Sequence, residues 1–203
     1  MDEEQVRARL KLIRSLVTKN LMTDYVPFPM DRKLASSWAI PLKVPRGEDT
    51  LIYTSYMYQM ASIFKSYGRL LPKFGSLASS SFVQGLGARF MKPSNEDIKR
   101  ASSILSNAYS LLKSSGISPG YLYEDEPYSG ALLLEMGFID ELKEYGKKLL
   151  LFFHERNVKK LIVVDPHTLF TLTYLNREAG FDIPFQHYLD VVKSAKGEGS
   201  FVL

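Results

Sequence analysis

Two short acidic segments combine residue types that could bind a metal ion or transfer protons. The first is Glu124-Asp125-Glu126, and the second is Asp165-Pro166-His167. Carboxylates together with a histidine bind zinc, manganese or iron, and they also perform general acid–base catalysis. One hypothesis is therefore a metal-dependent or acid–base enzyme that uses Glu126, Asp165 and His167.

A simpler interpretation of the same segments needs no ligand. An aspartate followed by proline is a common helix start, with the carboxylate as cap and the proline in the first helical turn. Asp165 is then a helix cap, and the run Glu124–Glu126 is a solvated loop. We favour this interpretation over the enzyme.

Ser129 is a second candidate for chemistry because it lies just before an apolar, helix-like segment. A serine at a helix N-terminus can act as a nucleophile, and His167 is a conceivable base. However, Pro127 occupies the place where a Gly-x-Ser-x-Gly nucleophile elbow has its first glycine. We therefore predict no catalytic residue here.

The elements that must position these residues follow from the hydrophobic pattern, in which strand-like and helix-like segments alternate four times. Such alternation predicts an α/β fold, which we expect to be a Rossmann-like three-layer domain with a mostly parallel sheet of about four strands. Ligand sites in such sheets lie beyond the carboxyl ends of the strands. The strands are predicted at 51–55, 120–123, 160–164 and 183–187.

The chain divides into two regions by composition. Residues 1–49 are predicted to form an amphipathic helix over 3–21 and an extended, proline-rich connector, on which Phe28 and Trp38 dock against the domain. Residues 50–203 form the α/β domain, with a Gly- and Ser-rich insertion near 72–93.

The composition excludes several classes of protein. The chain has no cysteine, so it can supply neither disulfides nor thiolate ligands for zinc or iron–sulfur clusters. The net charge of +4 is modest and its signs are mixed, which argues against nucleic-acid binding. No apolar run reaches the roughly 20 residues of a membrane span, and the first residues lack a signal-peptide core. A cytoplasmic protein is the expectation.

The segment EPYSGALLLEMGFIDELKEYGKKLLLFFHERNVKKLIVVDPHTLFTLTYLNREAGFDIPFQHYLDVV resembles the cysteine-rich CCG domain. That domain occurs in heterodisulfide reductase subunits B and D and in related iron–sulfur oxidoreductases. The family's Pro-Cys-Cys-Gly motif matches residues 127–130, and its Cys-Pro-x-Cys motif matches residues 165–168. Upstream, LIYTSYMYQ resembles the family's strand that ends in Gly-Cys, with Ser55 and Tyr56 in those two places.

The resemblance also implies a loss, because this chain has another residue at each cysteine position of the family. These former cluster positions are Tyr56, Tyr128, Ser129, Asp165 and Thr168. Phenol, hydroxyl and a single carboxylate do not replace thiolates as ligands of a cluster. The resemblance therefore implies no cofactor and a non-catalytic accessory subunit of a redox complex. Its expected partners are flavin or iron–sulfur subunits, or a second copy of the chain.

Overall fold

The computed structural model describes residues 3–61 and 94–197. The predicted insertion near 72–93, and much of a helix predicted over 57–71, lie outside these residues. Residues 57–61 are helical. The named helices and strands of the described residues are α1 Glu3–Asp24, α2 Arg32–Ser36, β1 Thr50–Tyr53, α3 Asn95–Ser114, α4 Ala131–Glu135, α5 Ile139–His154, β2 Lys160–Val163, α6 Pro166–Ala179, β3 Phe185–His187 and α7 Tyr188–Lys196.

The sheet is parallel, and its strand order is β1-β2-β3. Leu51 pairs with Leu161 across the first two strands, and Val163 pairs with His187 across the next two. The strand predicted at 120–123 is reduced to two isolated parallel bridges, Gly120 to Leu51 and Tyr121 to Arg46. The sheet of the described residues therefore has three strands, while the α/β class and the parallel pairing are as predicted.

The fourth strand stops after Tyr121 because the backbone turns there instead of staying extended. Tyr123 has a left-handed backbone (φ 56°) and begins a 3-10 turn, Tyr123–Asp125. Gly120 also lies so close to Gly47 that a Cβ atom there would be 1.4 Å from the Gly47 carbonyl oxygen. Only glycine fits this contact, and it contributes no side chain to the sheet.

Helices cover both faces of the sheet. Leu51 and Tyr53 of β1 belong to one buried cluster, while Ile52 between them belongs to a second. Successive strand residues point to opposite faces, so the two clusters lie on opposite sides of the sheet. The first cluster includes residues of α1, α4, α5 and α6, and the second includes residues of α3 and α7.

The connector is not extended throughout, because residues 32–36 are α-helical and Ser37–Ala39 form a 3-10 helix. Residues 32–36 form helix α2, because the Asp31 side chain accepts a hydrogen bond from the Leu34 amide and so caps a helical turn. Phe28 and Trp38 are buried as predicted, one in each cluster. Among the described residues, no helix combines the length and the apolar character that crossing a bilayer requires.

Candidate functional site

The five positions matched to family cysteines lie at the carboxyl ends of β1 and β2 and at the start of α4. All five side chains are buried, with relative exposures between 0 and 2%. The chain adds β2 and β3 on one side of β1 and the bridging residues 120–121 on the other. The crevice between β1 and β2 is thus the point where strand order reverses, and this is where parallel sheets bind ligands. We call these five residues the strand-end cluster: Tyr56, Tyr128, Ser129, Asp165 and Thr168.

Hydroxyl groups join three chain segments inside this cluster. Ser55 Oγ accepts a hydrogen bond from the Ser129 amide at 2.7 Å and donates one to Ser129 Oγ at 2.9 Å. Ser129 Oγ lies 3.3 Å from Thr168 Oγ1. Ser129 is fully buried among hydroxyl partners, and the structure does not bring it to His167.

The two tyrosines fill the space around these hydroxyls and use their own hydrogen-bonding groups. The Tyr56 hydroxyl donates to the Tyr123 carbonyl at 2.8 Å, and the Tyr128 hydroxyl accepts from the Leu132 amide at 3.0 Å. The Tyr145 hydroxyl donates to the Tyr128 carbonyl at 2.6 Å. Burial raises the pKa of both Tyr56 and Tyr128 above that of a free phenol, so neither ionises near neutral pH.

Glu126 corrects the interpretation of the acidic run as a solvated loop. Its side chain is 1% exposed, and its carboxylate accepts from the Thr54 amide and the Thr54 hydroxyl, both at 2.6 Å. The Tyr121 hydroxyl donates to the same carboxylate at 3.3 Å. Burial raises the pKa of Glu126 to about 7, although these hydrogen bonds oppose the shift.

The other two acidic residues of the run are on the surface. Glu124 and Asp125 pair with Arg46 at 2.8 Å and 3.3 Å. The Arg46 guanidinium also lies over the Tyr123 ring, 4.7 Å from its centroid. These contacts attach the loop to the connector without forming a ligand site.

Asp165 is the helix cap that its sequence predicts. Its Oδ1 atom accepts from the Thr168 amide at 2.8 Å, and Pro166 begins α6. Its Oδ2 atom is buried without a hydrogen-bond partner. Burial raises the pKa of Asp165, against the opposing effect of the Thr168 hydrogen bonds.

The structure does not assemble the alternative metal-binding set of Glu126, Asp165 and His167. His167 is on the surface, with its side chain 58% exposed, and it pairs with Glu135 of α4. Both Glu126 oxygens and Asp165 Oδ1 accept hydrogen bonds within the chain, and Asp165 Oδ2 has no partner. Within residues 3–61 and 94–197, no group of three or more His, Asp or Glu side chains is arranged to hold a metal ion.

Sequence reasoning placed Ser55 at a strand end but missed two participants, Thr54 and Tyr121. The available signal was the Thr-Ser pair directly after β1, where strand ends of parallel sheets place functional groups. Ser55 and Tyr56 both have left-handed backbones (φ 51° and 54°). Non-glycine residues rarely adopt this conformation, and it is concentrated at functional sites.

Comparisons with known proteins do not identify a family for this chain. A scan against protein-family models gave no match, and neither the curated proteins nor the solved structures contain a significant match to this chain.

Proposed function

We propose that the chain is a non-catalytic accessory or structural subunit of a heterodisulfide-reductase-like electron-transfer complex, with a closed iron–sulfur site. One observation carries the proposal. The five residues that match the CCG cysteines come from three separate segments of the chain, yet they lie in one buried, hydrogen-bonded region at the carboxyl ends of β1 and β2. Ligands of one cofactor must converge in this way, and unrelated surface positions would not.

Backbone conformation supports the same resemblance. Ser55 matches a glycine of the family and has a φ of 51°, a left-handed value that glycine adopts freely. Gly130 matches the last residue of Pro-Cys-Cys-Gly and has a φ of 89° as the N-cap of α4. A Cβ atom at Gly130 would also be 3.0 Å from Leu142 Cδ1. Both places where the resemblance puts a family glycine thus have a positive φ, which supports the match.

The types of side chain in the strand-end cluster support the proposal that this chain performs no redox chemistry itself. Thiolates hold iron–sulfur clusters, and the buried groups here are hydroxyls, phenols and one carboxylate. Both phenol groups have hydrogen-bond partners in the chain. A subunit of this kind would contribute docking surfaces to the complex and leave electron transfer to its partners.

Affinity purification from the native host tests the proposal. We expect the tagged chain to recover stoichiometric partners that carry flavin or iron–sulfur absorption, with none of that absorption in the chain itself. The control is the same tag on the Tyr128→Phe variant, which keeps the buried ring and is expected to recover the same partners, because docking is assigned to the surface. Recovery of the chain alone, or only as copies of itself, would contradict the proposed complex.

A further inference from the structure

A groove lies where helix α1 ends and the connector begins. Its volume is about 500 Å³, within the range of sites for small molecules. It is open to solvent on one side. The lining residues that matter for its chemistry are Asp24, Tyr25, Phe28, Met30 and Arg32.

The groove contains one acid and one base that do not pair with each other. The Arg32 guanidinium donates to the backbone carbonyl of Asp24, while the Asp24 carboxylate accepts from the Thr23 hydroxyl at 3.0 Å. No ion pair within the described residues involves Asp24 or Arg32. Two opposite charges therefore face the same groove, each with hydrogen-bonding capacity left.

Asp24 and Arg32 favour ligand groups of opposite charge. Asp24 is the last residue of the 22-residue helix α1, whose carbonyl end carries partial negative charge. Lys148 of α5 already lies at this end, where its ammonium donates to the Met22 carbonyl and is 3.9 Å from the centroid of the Tyr25 ring. No ion pair of the described residues joins Lys148 to Asp24, so the carboxylate can still pair with a positive group of a ligand. An anionic group is favoured beside Arg32, whose planar guanidinium suits a carboxylate.

An apolar wall completes the groove and is held in place before any ligand binds. The Tyr25 carbonyl accepts from the Tyr128 amide at 2.8 Å, and the Tyr25 ring lies 4.9 Å from that of Phe152. Phe28 is buried in the core, with Met30 packed against the same cluster. A preformed wall lowers the entropy cost of binding.

We propose that this groove binds a small apolar zwitterion, the chemistry of a free apolar α-amino acid. The ammonium group pairs with Asp24, the carboxylate with Arg32, and the apolar side chain packs against Tyr25 and Phe28. This site is separate from the strand-end cluster, and it does not depend on the proposed complex.

Amide NMR titration of the full chain with L-leucine at millimolar concentrations tests the site. N-acetyl-leucine lacks the ammonium charge and leucinamide lacks the carboxylate, so each should bind about tenfold more weakly or worse. The variants Asp24→Asn and Arg32→Gln should each weaken leucine binding by a similar factor. Lys19→Gln changes an exposed residue of α1 outside the groove lining and should leave binding unchanged.

Three results would overturn the proposal: no saturable shift with leucine, equal binding of either analogue, or unchanged binding in both variants. Circular dichroism of each variant verifies folding. Asp24→Asn and Arg32→Gln act on separate charges. If one of these variants does not fold, the other variant and both analogues still test the proposal.

Discussion

The strand-end cluster and the groove at the end of α1 are neighbours, joined by the hydrogen bond between the Tyr128 amide and the Tyr25 carbonyl, yet they differ in kind. The cluster is buried, and its phenols and hydroxyls bond to other parts of the chain, although Asp165 Oδ2 has no partner. The groove is open, and its two charged side chains face solvent without pairing. Polar residues at a strand end therefore do not by themselves make a site. Space that a ligand can enter is also needed.

The largest expected loss of stability comes from removing an aromatic ring from the strand-end cluster. Tyr56→Ala removes a fully buried aromatic ring, and such truncations cost about 3–5 kcal/mol of the free energy of unfolding. Tyr56→Phe, the matched control, removes only the hydrogen bond to the Tyr123 carbonyl and should cost about 1 kcal/mol. Chemical denaturation measures both. A near-neutral Tyr56→Ala would mean that the ring does not fill a packed site.

The next effect is a pH dependence that originates at Glu126. Its pKa rises from an ordinary 4.5 to about 7 in the folded state. The folded state then holds the proton more tightly than the unfolded state, so stability is full below pH 4.5 and falls as pH rises towards 7. The loss is about 3 kcal/mol at most.

Glu126→Gln should remove this dependence, because an amide can accept from the Thr54 amide and donate to the Thr54 hydroxyl. The measurement is the free energy of unfolding at several pH values between 4.5 and 8, for wild type and variant. Glu124→Gln, at the surface pair with Arg46, is the control and should leave the pH profile of wild type intact. Identical profiles for wild type and Glu126→Gln would refute the assignment.

Substitutions of Ser55 should have a smaller effect on stability, and they separate its two roles. It accepts a hydrogen bond from the Ser129 amide, and it holds a left-handed backbone conformation. Ser55→Ala leaves the buried Ser129 amide without its acceptor and should cost about 1–3 kcal/mol. Ser55→Gly loses the same bond but relaxes the left-handed backbone, so it should be more stable than the alanine variant by roughly 1 kcal/mol. Thermal melts of the two variants give the comparison. An alanine variant at least as stable as the glycine variant would argue against backbone strain.

The smallest effect is expected at His167. Its pairing with Glu135 is exposed, and exposed ion pairs contribute about 0–1 kcal/mol. His167→Gln should therefore unfold at nearly the same denaturant concentration as wild type. A large loss of stability, or loss of a bound metal, would return His167 to the candidate site.

Local signals predicted much of the fold. The continuous apolar run at 160–164 gives β2, and Asp165-Pro166 marks the start of α6, since a cap depends only on residues three positions apart. Glu126 could not be placed this way. Its partner Thr54 is 72 residues away, and the sequence Glu-Asp-Glu is the same whether a loop is solvated or buried.

Placing cysteines at the five positions of the strand-end cluster tests the central claim, the proposed resemblance to the CCG domain, most directly. The five-fold variant Tyr56→Cys, Tyr128→Cys, Ser129→Cys, Asp165→Cys and Thr168→Cys is reconstituted anaerobically with iron and sulfide, beside wild type. The control carries five cysteines at buried positions of the other core cluster: Ala39, Val44, Ala108, Val191 and Val192. Iron and sulfide per chain are measured, and circular dichroism monitors folding. We predict that an iron–sulfur cluster forms in the five-fold variant of the strand-end cluster and in neither the control nor the wild type. The account would be contradicted if the five-fold variant of the strand-end cluster folds but binds no more iron than the control. It would also be contradicted if the wild type forms an iron–sulfur cluster.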